Sequence, residues 1–411
     1  MIKKQENKVA IFVDSRKESG GEYQHLLYTI DNIKKNNKDK IKFIIVCPSK
    51  KLNFNLENED IEVKYFSLNI FQRYICYLRN NHSLFSRIKK FLFFSNKFEI
   101  FLKKNNIDLI YFTSPSQYSL YLEKTKFFIT IPDVDHREHL EFPEVVDENE
   151  FNRKNEIFSK SLIKAQAIIT NANIIKERLI KYYNISPRRV YIISLRPAIS
   201  VRDFSLENVN EKINKDIMIK YNLPNNYIFY PAMYLPHKNH VAIIDALKIV
   251  NKNQNKKIKV VFTGSDIGYK SGLENYARQK KVFDDIHFLN FVEDSELPYI
   301  YLNSNMIVFP VLIGPTFTPI WEAFKMKKPV IFSNLSGVKD VYKDGVNYVD
   351  PLNTDQIATA IKELFIDSAH RENLIKKGSK VLEDMQINGE YSQVFKIIKN
   401  YRDLKKTWDP L

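Results

Sequence analysis

A chain of 411 residues, 44% of them hydrophobic, is too long for one ordinary core and too apolar for disorder, which predicts two domains of roughly 200 residues each. No apolar run approaches the ~18 residues that cross a bilayer, and MIKKQENKVAIFVD passes from charge straight into a strand, so neither a membrane span nor a signal peptide is expected. The formal charge of +15 and pI near 9.3 call for an anionic partner, although nucleic acid, phospholipid and a nucleotide pyrophosphate all qualify.

The predicted elements alternate along the chain. KVAIFVD is followed by a helix over Glu22 to Lys35, then by the strands IKFIIVC, IEVKYFS, DLIYFTS, KFFITIP and AIITN, a helix over Ile174 to Tyr183, and RVYIIS. This alternation predicts parallel βαβ units. After the charged, poorly patterned Val201 to Lys220 it restarts with YIFYPAM, a helix over Ala242 to Asn251, IKVVFTG, IHFLNFV, MIVFP and PVIFS. Helices over Asp355 to Phe365, Glu372 to Met385 and Tyr391 to Lys406 complete the chain, more than one small sheet needs for cover. The expected domains are 1–200 and 201–385, with 386–411 crossing back to the first. Only two cysteines occur, Cys47 and Cys76, and Cys47 ends an apolar run, so a buried thiol there and a reducing cytoplasm are expected.

Between Arg73 and Lys104 stand eight basic residues against one acid, Glu99, interleaved with aromatic ones. Such a stretch predicts a helix that either lies on an anionic membrane surface or packs into the core with a solvated basic face. Stacking on single-stranded nucleic acid is a third option, but no RNA-binding motif accompanies it.

Four loops at predicted strand ends carry candidate chemistry. Gly20 and Gly21, between the first strand and its helix, let backbone N–H groups approach a phosphate, or simply make a turn; the spacing is not GxGxxG. Ile131 to Val145, IPDVDHREHLEFPEV, packs acids and histidines after a strand; His136 is a candidate for a sugar hydroxyl contact, a solvated polar loop is the alternative, and HREH is not HExxH, so no metal site is expected. In YPAMYLPHKNH, Lys238 and Asn239 stand at a helix entrance, suited to a pyrophosphate or to plain solvent. In IGPTFTPIWEAF, Thr318 is placed to cap a helix through its hydroxyl, with Pro319 in its first turn. Glu322 is then either a ribose ligand in that helix or part of an ordinary amphipathic face.

In these motifs the chain resembles a bacterial family 4 glycosyltransferase of the GT-B fold. The similarity runs through YPAMYLPHKNH, VVFTGSD, FLNFVEDSELPYIYLNSNMIVFP, GPTFTPIWEAF, KKPVIFSNLSGVKDV and DGVNYVDPLN, and more loosely through SGGEYQ and DVDHREHLEFPEV. The resemblance implies an α/β fold of two facing Rossmann-like domains with a cleft between them. It also implies a nucleotide-diphospho-sugar donor on the second domain and retaining transfer to a glycan or lipid-linked acceptor on the first, in lipopolysaccharide or capsule synthesis. Glu322 matches the second glutamate of the family's E-x7-E motif, Lys238 the lysine near the donor phosphates, His136 the loop histidine and Gly20 and Gly21 the glycine loop. The chain departs from the pattern at Gly314, where the first glutamate is expected, and at Met233, where many members have arginine. The resemblance to the Gly-Pro-Thr subgroup then assigns sugar contacts to Thr316, Phe317 and Thr318, and Arg196 becomes a substitute phosphate ligand.

The leaving nucleoside diphosphate gains negative charge as the anomeric bond breaks, and preorganised cations and helix N-termini stabilise it. Lys238, Arg196 and the Thr318 helix are expected to do this without a metal or other cofactor. The expected partners are a nucleotide sugar, a glycan or lipid-linked acceptor, and an anionic membrane through residues 73–104 at the inner face, with no nucleic acid. The rival classes are a non-catalytic sugar-nucleotide-binding scaffold, a nucleic-acid-binding protein and a sugar-nucleotide epimerase.

Overall fold

The computed structural model describes residues 7–14, 20–49, 61–81, 95–252, 254–387 and 392–408. The chain forms two compact units, one of residues 1–138, 146–194 and 389–411, the other of 139–145 and 195–388. The changeover therefore follows Ser194 rather than residue 200, and a seven-residue piece of the polar loop belongs with the second unit.

In the first unit the strands β1 (Lys8–Phe12), β2 (Phe43–Cys47), β3 (Glu62–Tyr65), β4 (Ile107–Phe112), β5 (Lys126–Thr130), β6 (Ala167–Thr170) and β7 (Val190–Ile192) lie in the order β3-β2-β1-β4-β5-β6-β7. Each recorded pair is parallel. Continuous apolar runs such as FIIVC suit a sheet covered on both faces. The helices that matter below are α1 (Gly21–Asn36), α2 (Ile70–Asn81), α3 (Lys97–Lys104) and α4 (Glu148–Ser161).

The basic, aromatic stretch is not one helix. Asn96 ends any continuation by capping α3, accepting from the N–H groups of Phe98 and Glu99 at 3.1 Å each. Residues 82–94 of that stretch lie outside the described residues. Both cysteines are buried and free, and burial pushes the Cys47 thiol up to about 12.

The second unit holds β8 (Tyr227–Pro231), β9 (Lys259–Thr263), β10 (Ile286–Phe288), β11 (Ser304–Phe309), β12 (Val330–Ser333) and β13 (Asn347–Val349), ordered β10-β9-β8-β11-β12-β13 and again parallel. IHFLNFV is a strand only over its first three residues, and β13, inside DGVNYVDPLN, was not expected as a strand. The helices α5 (His240–Val250), α6 (Leu297–Asn303), α7 (Thr318–Lys325) and α8 (Ser368–Ile387) flank this sheet. The final helix, α9 (Ser392–Lys405), packs into the first unit, where Val394, Ile397, Ile398 and Tyr401 join Val9, Leu109, Tyr111 and Phe128 in one buried cluster.

Candidate functional site

At the carboxyl ends of β8 and β11 two loops are tied together. Residues Pro236 to Lys238 make a single 3-10 turn, and Asn239 then takes a left-handed backbone, φ 57°, to open α5. The Leu312 N–H donates to the His237 carbonyl at 2.8 Å, and the Tyr230 hydroxyl donates to the Lys238 carbonyl at 2.5 Å. Both amide hydrogens of Asn239 are engaged, to the carbonyls of Pro310 and Pro351 at 2.9 Å each. Asn239 thus clamps the ends of three strands, a positioning task in place of the donor contact expected of it. Glu144 accepts from the His237 N–H at 3.0 Å and shares a hydrogen with His237 Nδ1 at 2.5 Å.

The clamp brings Lys238 and the Thr318 helix to one place. Lys238 Nζ lies 4.5 Å from the centroid of the Phe317 ring, the residue that precedes α7. Thr318 does not cap the helix as expected. Phe317 holds the capping position with no side-chain cap, and its N–H donates instead to the Tyr342 hydroxyl at 2.8 Å. Pro319 occupies the first turn as its fixed φ suggests. The positive end of α7 and an ammonium group therefore converge, which is the electrostatic requirement for holding a phosphate.

Gly314 has a physical reason for replacing a glutamate. Its φ is +96°, which L side chains rarely adopt, and a Cβ there would stand 2.9 Å from Phe317 Cζ. The Phe317 ring also packs on Phe309 and Phe332, with centroids 5.2 and 5.8 Å away. The space beside the missing carboxylate is filled by an aromatic face with a cation over it.

Glu322 is only 3% exposed, and its carboxylate accepts from the Ala198 N–H at 3.2 Å and the Tyr301 hydroxyl at 2.7 Å. The expectation of a helix-borne ribose ligand is corrected to this extent: the side chain points into the unit and joins the start of the segment after Ser194 to α6. Burial raises its pKa to about 7, against the pull of those two hydrogen bonds. Its folded-state pKa therefore exceeds its unfolded value, so its ionisation destabilises the fold progressively as pH rises from about 4.5 to about 7. Glu322→Gln, which keeps the shape without the charge, should gain stability relative to the native chain across that interval. Denaturant midpoints of both proteins at pH 5 and pH 8 test this, and a constant gap between them would refute it.

Of the remaining candidates, only Thr316 belongs to these two loops. Arg196 donates from Nη2 to the Met385 carbonyl at 3.1 Å, so it anchors the last turn of α8. Thr316 lies within the Gly314 loop, next to Phe317. In the first unit, His136 is 1% exposed; its Nε2 pairs with the Tyr183 hydroxyl at 2.8 Å and its ring meets Phe158 edge-on at 4.9 Å. Burial holds it down to about 4, hence neutral at neutral pH, and its buried Nδ1 has no hydrogen-bond partner among the described residues. His136 is thus an anchor of its turn, enclosed by rings rather than displayed on the loop.

Gly20 also has a positive φ, 58°, and Gly21 opens α1. The first turn of α1 carries an acid, Glu22, and burial pushes the nearby Asp14 carboxyl up to about 6. Ser116 Oγ donates to Asp14 Oδ2 at 2.5 Å. Carboxylates beside the glycine turn oppose the phosphate-facing role expected for it. The clamp role of Asn239 and the Asp14 cluster were not read from the sequence; a polar residue closing each of the strands β1 and β8 loops was the available signal.

Residues 214–381 match the family model described as glycosyl transferases group 1. O-antigen chain mannosyltransferase B of Escherichia coli is 24% identical over 220 residues, covering 53% of this chain and 56% of that protein. O-antigen chain mannosyltransferase RfbU of Salmonella typhimurium is 22% identical over 51% of this chain and 53% of its own length. The chain thus spans about half the length of these relatives. A glycosyltransferase structure from Rickettsia africae superposes with a TM-score of 0.68 at 18% identity, covering 99% of this chain and 100% of that one. The lipopolysaccharide glycosyltransferase WaaG gives 0.68 at 11% identity over 94% and 98%. Anabaena HepE in complex with UDP gives 0.69 at 15% identity over 96% and 100%. The fold of two parallel-sheet, Rossmann-like units is the GT-B fold.

Proposed function

We propose, from the glycosyl transferases group 1 domain that residues 214–381 form, that this protein moves a hexose from a nucleotide-diphosphate donor to a glycan or lipid-linked acceptor in the synthesis of a bacterial surface polysaccharide. The observation that carries the reading is the convergence of Lys238 and the α7 N-terminus at the carboxyl ends of β8 and β11. Open α/β sheets bind ligands at such ends, and the two features supply the positive field that a departing diphosphate needs. Transfer proceeds with retention, as the family resemblance implies. The mannosyltransferase names of the relatives make mannose the first donor sugar to try.

The chain's own cation and helix N-terminus neutralise the leaving group, so turnover needs no divalent ion. Sugar transfer should survive EDTA at full rate; loss with recovery on adding Mg²⁺ or Mn²⁺ would refute this. A thermal-shift panel of GDP-, UDP-, ADP-, CMP- and dTDP-sugars identifies the donor, because a ligand that binds only the folded state raises its apparent stability.

The protein works at an anionic membrane face, a reading supported by the surface of α2 and α3. Ile70 is 87% exposed, Phe71, Tyr74 and Ile100 are exposed as well, and Arg73, Lys97, Lys103 and Lys104 accompany them. Exposed apolar side chains rimmed by cations fit the boundary between acyl chains and acidic headgroups. No helix of the described residues is long and apolar enough to cross a membrane. Phe71→Glu should cut sedimentation with phosphatidylglycerol vesicles by at least about tenfold, given what burying one such ring contributes. Equal sedimentation of both proteins would remove the membrane face from the account.

A non-catalytic sugar-nucleotide-binding protein is the second reading, favoured by Phe317 filling the space beside Gly314. Donor binding without donor hydrolysis or transfer to any acceptor would decide for it.

A further inference from the structure

The first unit contains a pocket of about 440 Å³ whose lining side chains, among the described residues, are all polar or charged. Asn149, Asn152 and Asn155 recur every three residues along α4, which puts them on one flank of the helix, and Gln117 faces them from the turn that follows β4. A phosphate site would need uncommitted cations here, and the cations are committed. Arg153 pairs with both oxygens of Glu150 at 2.7 Å, and Lys160 pairs with Glu156 at 2.8 Å and with the Tyr77 hydroxyl. The side-chain amides of Gln117, Asn149 and Asn152 have no protein partner among the described residues.

An unpaired carboxamide both donates and accepts hydrogen bonds, and so does each hydroxyl of a sugar ring. Three such amides around a roomy opening whose charged lining residues, Arg153, Glu156 and Lys160, are each ion-paired match a neutral polyhydroxyl ligand better than an anion or an apolar one. The pocket also lies beside the carboxyl edge of the sheet, because Arg153 Nη1 donates to the carbonyl of Pro115, just beyond β4, at 3.4 Å. We infer that the α4 pocket is a subsite for neutral glycan, holding the sugar units of the acceptor behind the one that receives the new residue. The inference rests on the glycosyltransferase reading given above and adds the acceptor's chemical class and its resting place.

Asn149 and Asn152 are exposed, so the double substitution Asn149→Ala/Asn152→Ala removes the amides without disturbing the core. Saturation-transfer NMR and calorimetry with mannotriose, a neutral oligosaccharide, should show binding to the native protein and at least about tenfold weaker binding to the variant, the loss expected for two hydrogen bonds. Donor-induced thermal shifts should be the same in both. In turnover, the variant should raise KM for an oligosaccharide acceptor about tenfold while leaving kcat, and the rate with a monosaccharide acceptor, unchanged. No mannotriose signal with the native protein, or equal binding by the variant, would overturn the subsite. Sugar transfer with the same acceptor KM in both proteins would overturn the subsite alone; mannotriose binding by a protein that transfers to no acceptor would overturn the acceptor assignment together with the transferase reading.

Discussion

Lys238→Met should lower kcat for sugar transfer by about 10² to 10³, the scale seen when one preorganised group that stabilises developing charge is removed. Methionine keeps an unbranched apolar stem over Phe317 and deletes only the ammonium. The interactions lost include the cation over the Phe317 ring at 4.5 Å, worth roughly 0.5 to 1 kcal/mol at such a partly exposed site. Stability therefore changes little while catalysis collapses. Because the charge on the diphosphate grows as the bond to the sugar breaks, the effect belongs mainly in kcat and less in donor affinity. Native turnover in a folded Lys238→Met protein would remove the lysine from the site and, with it, the reason for placing the donor between these two loops.

Gly314→Glu should fail as a repair of the missing glutamate. It restores the spacing of E-x7-E on paper, yet it places a side chain on a backbone with φ +96° and drives Cβ to 2.9 Å from Phe317 Cζ. Backbone strain and overpacking each cost of order 1 to 3 kcal/mol, so the second unit should lose about 2 to 6 kcal/mol. At a few degrees of melting temperature per kcal/mol for a unit of this size, the loss is visible by calorimetry. Gly314→Ala should show most of it, since the β-carbon alone meets both obstacles. Gain of transferase activity with unchanged melting would mean that the loop readily adopts another conformation.

Glu322 behaves unlike either. Replacing it with alanine leaves the Ala198 N–H without its carboxylate acceptor and the buried Tyr301 hydroxyl with only the Pro319 carbonyl at 3.5 Å, so loss of activity there mixes chemistry with unfolding. The isosteric glutamine is the informative substitution.

These contrasts explain what was legible in the sequence. Period, strand length and turn residues are local, so the βαβ alternation, the restart near residue 220, the Pro-His-Lys turn and the Gly-Pro-Thr loop could be read before any coordinates. Their proximity followed from a general rule about strand ends. What could not be read were partners set by tertiary packing. Glu322 looks like a displayed carboxylate in WEAF, but its partners are 124 and 21 residues away. Asn239 sits where a ligand contact is plausible, and only the positions of Pro310 and Pro351 show that both its amide hydrogens are taken. His136 lies in a run of charges whose polarity hid the aromatic rings that enclose it. β13, three residues long, is too short for any periodicity to show.

The packing of α9 onto the first unit has a consequence for how the molecule is made. A ribosome delivers β1 through β7 long before Ser392, so the nascent first sheet waits through the synthesis of an entire second unit with the ground beneath Val394, Ile397, Ile398 and Tyr401 uncovered. That apolar ground is a natural place for a chaperone to hold, and the second unit, all of whose residues precede Ser392, can reach its final form first. A chain halted before Ser392 would therefore be expected to aggregate through its amino-terminal portion, although every strand of that portion had already been built.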